Sequence, residues 1–129
     1  MHQFDLKNRT AIITGGAQGF GLDIAKKFLN AGANVIIWDI DEKELQNAVK
    51  KINNPKLSYN IIDVSNFEKV NNTVIEINKT SNIDILINNA GITGPTAELW
   101  NYSINDWNKV VEINLNGTFN CCKSIVPNM

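Results

Sequence analysis

"AIITGGAQGFG", residues Ala11 to Gly21, carries an apolar run into a cluster of glycines and out into a helical pattern. Thr10–Thr14 is short, apolar and β-branched, which predicts a buried strand ending at Gly15. From Phe20 to Ala31 the apolar positions Phe20, Ile24, Ala25, Phe28, Leu29 and Ala31 have helical spacing, and Gly32 fits just past the helix end. A strand that becomes a helix through glycines leaves unpaired backbone N–H groups at the positive end of the helix dipole, which is an anion site. Gly15 can make the turn, Gly19 can face phosphates without a Cβ in the way, and Gly21 can let the helix pack close to the strand. The spacing is G-x-x-x-G-x-G, and on these glycines alone a plain tight turn reads equally well.

Outward from this turn, strands and helices alternate. Asn34–Asp39 predicts a second buried strand, and Asp41–Ile52 a helix with acids first and lysines last, as its dipole favours. Lys56–Val64 holds a third strand. Ser65–Glu68 has the S-x-x-E spacing of a capping box and opens a helix to about Thr80, with Phe67, Val70, Val74 and Ile77 on one face. Ile83–Asn89 predicts a fourth strand, and Ala90–Tyr102 a loop whose Ile92–Trp100 portion can reach a substrate. A long helix is expected from Ser103 to about Val126, with Ile104, Trp107, Val110, Val111, Phe119, Cys122, Ile125 and Val126 in its apolar stripe. Successive βαβ units build a parallel sheet covered on both faces, here as one domain over residues 1–129.

Two polar residues stand out against this frame. Asp39 lies at the end of the second strand, 18 residues beyond Gly21. A carboxylate there can accept hydrogen bonds from an adenosine ribose and would repel a 2′-phosphate, and no arginine stands at Gln18 or Ile40 to welcome one. This favours NAD over NADP; a helix cap or a solvated charge is the plainer reading of the same residue. Asn114 falls on the apolar stripe, where a buried amide must find partners, as a satisfied core asparagine would.

Other features exclude function classes. Twelve basic and 13 acidic residues are well mixed, which leaves no basic footprint for nucleic acid and no polybasic membrane patch. The polar N-terminus and the lack of a long apolar run predict no signal peptide, no membrane span and a cytoplasmic location. Cys121 and Cys122, lacking a Cys-x-x-Cys spacing, read as packing residues, and His2, the single histidine, is given no role.

Taken together, "TGGAQGFG" (14–21), "DV" (63–64), "NNAG" (88–91) and "VVEINLNGTF" (110–119) occur in the order and spacing of the short-chain dehydrogenase/reductase family. The sequence resembles that family along its whole length, most of all the bacterial branch of 3-oxoacyl-carrier-protein reductases and sugar-acid or polyol dehydrogenases. The resemblance implies a Rossmann-like, doubly wound α/β sheet of strand order 3-2-1-4, truncated after about four strands. It implies an NAD site in which Gly15, Gln18, Gly19, Phe20 and Gly21 surround the pyrophosphate and Asp39 and Ile40 meet the adenosine ribose. Asp63 would meet the adenine through its carboxylate and Val64 through its backbone and apolar wall. Asn89, Ala90 and Gly91 would line the cofactor cleft, Asn88 would brace the fourth strand, and Asn114 would hold a water of the proton relay.

The family's chemistry is hydride transfer between a nicotinamide and a secondary alcohol or ketone. It also needs a serine and a Tyr-x-x-x-Lys, and the resemblance puts these beyond residue 129. Tyr59 and Tyr102 are followed four residues later by Asp63 and Asp106, so neither substitutes. The chain is therefore expected to be the first half of a domain about twice as long and inactive alone. Its fourth strand should be an exposed apolar edge, making the isolated chain marginal or self-associating. Alternatives are a non-catalytic dinucleotide-binding or assembly module and, less well matched, a receiver-type regulator.

Overall fold

The computed structural model describes residues 4–129, so His2 lies outside the described residues. Strand β1 (Thr10–Thr14) is buried at all five positions, because it sits inside the sheet and is covered from both sides. It pairs in parallel with β2 (Asn34–Asp39) on one side and with β4 (Ile85–Ile87) on the other. Strand β3 (Leu57–Ile61) pairs in parallel with β2, completing the order β3-β2-β1-β4. The expected α/β, doubly wound, Rossmann-like architecture is present.

Alternation along the strands divides the core into two layers. Ile13, Val35 and Ile37 pack against Ala25 and Leu29 of α1 (Gly19–Asn30) and Leu45 and Ala48 of α2 (Glu42–Ile52). Ile12 and Trp38 face the opposite way, onto Val70 and Val74 of α3 (Phe67–Asn78) and Cys121 and Ile125 of α5 (Gly117–Ile125). Strands buried on both faces read as continuous apolar runs, as "TAIIT" and "NVIIWD" do. Trp38 is fully buried, and its indole N–H is satisfied by Asn60 Oδ1 at 3.1 Å.

Several boundaries differ from the sequence expectation. Helix α3 is capped by Asn66, whose side chain accepts from the Lys69 N–H at 3.0 Å, and not by Ser65. Ser65 is engaged elsewhere: its hydroxyl donates to Asp63 Oδ1 at 2.6 Å. The helix also stops at Asn78, short of Thr80. Strand β4 holds only three residues; Ile83 is buried outside the ladder, and Asn88 and Asn89 turn away to other partners. It lies at the sheet edge as expected, but half-buried.

The long final helix is not one regular α-helix. Ser103 caps α4 (Ile104–Val111) by accepting from the Asp106 N–H at 3.4 Å. A π-turn then spans Glu112–Asn116 before α5 begins, and a 3-10 turn closes Val126–Asn128. The wider turn changes the helical phase. The buried face of α5 is Gly117, Asn120, Cys121, Ser124 and Ile125, whereas Phe119 and Val126 of the expected stripe are exposed. Ile104 and Trp107 are exposed as well.

Both cysteines are free and pack as expected: Cys121 is buried and Cys122 half-buried. Burial, reinforced by the neighbouring Cys122, pushes the Cys121 thiol up to about 12. Among the described residues no helix is long and apolar enough to cross a membrane.

Candidate functional site

The glycine turn leads from β1 into α1. Gly15 and Gly19 both adopt left-handed backbone, with φ of +63° and +58°, which L side chains rarely take. Nothing lies within 4 Å of where a Gly19 Cβ would stand, so the backbone there is open to a ligand. A Cβ on Gly21 would run into the Gly15 carbonyl and come within 2.6 Å of Asn89 Nδ2, so this glycine serves close packing. Gln18, the residue before α1, is extended and makes no side-chain cap, and the first turn holds no acid. The leading N–H groups of α1 are thus left without a side-chain partner.

Thr14 and Asn89 tie the turn to the end of β4. The Thr14 hydroxyl accepts from the backbone N–H groups of Asn89 (3.0 Å) and Ala90 (2.9 Å). The Asn89 amide donates to the carbonyls of Thr14 (3.1 Å) and Gly15 (3.0 Å). The bracing role expected of Asn88 therefore belongs to Asn89; Asn88 is exposed and donates to Cys122 Sγ at 3.4 Å.

These elements border a cleft of about 340 Å³ at the carboxyl ends of the four strands, the place where open parallel sheets bind ligands. Nine of the expected residues line it: Gly15 and Gln18 from the turn, Asp39 and Ile40 after β2, Asp63 and Val64 after β3, and Asn89, Ala90 and Gly91 after β4. Gly19, Phe20 and Gly21 do not. Gly19 stands at the open turn, Phe20 points its ring outward at 84% exposure, and Gly21 is packed behind the turn. The rest of the wall is Ile92, from the loop expected to reach a substrate, and Ile62, Lys109 and Ile113, none of these three singled out from sequence.

Asp39 is half-buried, with one oxygen accepting from the Ala17 N–H (3.3 Å) and the other from the Asp41 N–H (3.2 Å). A carboxylate has about four acceptor sites, so capacity remains for ligand hydroxyls. Asp63 is exposed, and its Oδ1 accepts from both the N–H and the hydroxyl of Ser65.

Asn114 is not a core residue. It sits in the π-turn, exposed, and its amide clasps one backbone unit: Oδ1 accepts from the Ile92 N–H and Nδ2 donates to the Ile92 carbonyl, both at 2.8 Å. The π-turn changes the phase that the stripe reading assumed, and the amide finds its partners in the loop after β4. Of that loop's Ile92–Trp100 portion, only Ile92 reaches the cleft, while Leu99 and Trp100 face solvent. Among the described residues no group of three His, Cys, Asp or Glu side chains could hold a metal ion.

The sequence model of a family described as short chain dehydrogenase matches residues 9–129. The 3-oxoacyl-acyl-carrier-protein reductase FabG of Chlamydia muridarum is 36% identical over 128 residues, covering 96% of this chain and 51% of the reductase. The 2-dehydro-3-deoxy-L-rhamnonate dehydrogenase (NAD(+)) of a Sphingomonas strain is 34% identical, covering 94% and 48%. A crystal structure of a gluconate 5-dehydrogenase from Burkholderia cenocepacia, in complex with NADP and tartrate, superposes with a TM-score of 0.87 at 30% identity, covering 97% of this chain and 50% of its own. The chain spans about half the length of the relatives it matches.

Proposed function

The chain belongs to the short-chain dehydrogenase family, and on that premise we propose that it forms the NAD(H)-binding part of an oxidoreductase interconverting a secondary alcohol and a ketone. One observation carries this reading. The uncapped, glycine-turned start of α1 opens beside a cleft whose wall includes Asp39. The first supplies N–H donors for a pyrophosphate, and the second supplies acceptors for ribose hydroxyls.

Gly15, Gln18 and Gly19 would hold the pyrophosphate through their backbone, with the Phe20 N–H behind them and Gly21 keeping helix and strand close. Asp39 and Ile40 would take the adenosine ribose, Asp63 and Val64 the adenine, and Asn89, Ala90 and Gly91 the passage toward the nicotinamide. Asn114 would serve the proton relay as a holder of water; its carbonyl already accepts from the Thr118 hydroxyl at 2.9 Å. NAD, when bound, supplies the hydride acceptor. Residues 1–129 would make one dinucleotide-binding domain, shorter than that of the relatives, that works in the cytoplasm and self-associates. They hold no Tyr-x-x-x-Lys, so binding without turnover is expected of them.

The gluconate 5-dehydrogenase neighbour holds NADP, so the family alone does not select the phosphate. Asp39 followed by the exposed Ile40 supports NAD, because a 2′-phosphate there would meet a carboxylate, and neither Gln18 nor Ile40 offers a cation. Calorimetric titration with NADH and NADPH tests the reading. NADH should bind at least about tenfold tighter, given the cost of opposing two anions. Tighter NADPH overturns the NAD assignment, failure of both to bind overturns the dinucleotide site, and reduction of NAD by the purified chain overturns the inactivity.

A further inference from the structure

Helix α5 lines no part of the cleft, yet one of its side chains holds a wall of it in place. Asn120 is a buried amide on the face of α5 turned toward the corner between β3 and α3. Its Nδ2 donates to two successive carbonyls of that corner, Val64 at 2.9 Å and Ser65 at 3.3 Å. The corner begins after β3 ends at Ile61 and closes where Asn66 caps α3. The Asp63 carbonyl is taken by the Asn66 N–H at 3.0 Å, and the next two carbonyls in the chain are the pair that Asn120 satisfies. Buried carbonyls require a partner, and a helix on the opposite side of the corner supplies it.

The seat is shaped as well as bonded. Three residues earlier on the same face, a Cβ on Gly117 would come within 2.5 Å of Val64 Cγ2, so the helix lies directly against the Val64 side chain. The π-turn at Glu112–Asn116 sets the phase that turns Gly117 and Asn120 to this corner. Asp63 and Val64, which line the cleft, are held from behind by Asn120 and Gly117, while Asp63 Oδ1 is tied forward to Ser65.

We propose that Asn120 is a positioning residue for the adenine wall: by holding the Val64 and Ser65 carbonyls, it fixes Asp63 and Val64 and so sets affinity for the adenosine end of a dinucleotide. This rests on the dinucleotide reading of the cleft. It predicts a local effect, confined to the β3–α3 corner and absent from the glycine turn on the other side of the cleft.

The test pairs ADP-ribose calorimetry with hydrogen exchange on the same samples. Asn120→Leu keeps the branched shape and the number of side-chain heavy atoms and removes the donor. It should weaken ADP-ribose binding about tenfold, the scale of one or two lost hydrogen bonds. Amides of residues 62–66 should exchange faster while those of residues 11–21 keep their protection. Asn120→Gln retains an amide donor and should recover part of the lost affinity. If Asn120→Leu does not fold, Asn120→Ala carries the same comparison, and failure of both to fold marks a purely structural role and overturns the proposal.

Binding by the folded variant within about twofold of the parent overturns it. So does faster exchange spread equally over residues 11–21. Failure of the parent chain to bind ADP-ribose is a separate outcome that removes the dinucleotide reading, and this proposal with it.

Discussion

Helices α2, α3 and α4 begin in one way and α1 in another. Asp41, Asn66 and Ser103 each cap their helix with a side-chain oxygen, and each first turn carries an acid: Glu42 and Glu44, Glu68, and Asp106. Those helices satisfy their leading N–H groups and their positive dipole ends from within the chain. Helix α1 does neither, and it is the one whose start opens beside the cleft. The dinucleotide site proposed above builds on this difference between α1 and the three capped helices.

The comparison breaks most severely at Gly21. Gly21→Ala drives a methyl into the Gly15 carbonyl and should cost about 3 kcal/mol, because backbone on both sides resists the overpacking. Urea denaturation measures it, and a cost under about 1 kcal/mol would mean that the turn yields easily. Gln18→Asp is the sharper test. It gives α1 the cap that the other helices have, so the free chain should gain about 0.5–1 kcal/mol while NADH affinity falls about tenfold from competition and charge. Thermal melts and NADH titration read the two effects, and equal stability with equal affinity would place the start of α1 with the ordinary helix ends. The smallest change is Asp41→Ala, which should cost about 1 kcal/mol of stability and leave NADH affinity unchanged.

Much of the fold is legible because central parallel strands leave a plain trace. "TAIIT" and "NVIIWD" are apolar throughout since both faces are covered, and β1 and β2 run over the predicted residues. The start of α3 was less legible. Ser65 and Asn66 are both capable caps, and only the fold shows that Asp63 claims the Ser65 hydroxyl. The π-turn leaves no trace at all, since "EINLN" suits an ordinary α-helix, and beyond it Phe119 and Val126 of the apolar stripe are exposed while Ile125 stays buried.

The site divides along similar lines. Gly15, Gly19, Gly21 and Asp39 can be argued from the chain itself, whereas Asp63, Val64, Asn89, Ala90 and Gly91 follow only from the family resemblance. Lys109 and Ile113 were missed because their place in the cleft depends on how α4 and the π-turn lie across the sheet. Their spacing of four marks a shared helix face, but nothing local says which face looks at the strand ends. Gly19, Phe20 and Gly21 mark the opposite limit: the motif is there, and the structure gives the three residues different surroundings.

The indole of Trp38 makes the molecule its own optical instrument. Trp100 and Trp107 stand 78% and 55% exposed, so iodide or acrylamide in solution will quench their fluorescence. Trp38 is sealed in the core and bonded to Asn60, so its blue-shifted emission survives the quencher. It is also the residue next to Asp39 in β2, beside the cleft. Under quencher the remaining light reports from one known point, and a reduced nicotinamide bound nearby would drain it by energy transfer without any label being attached.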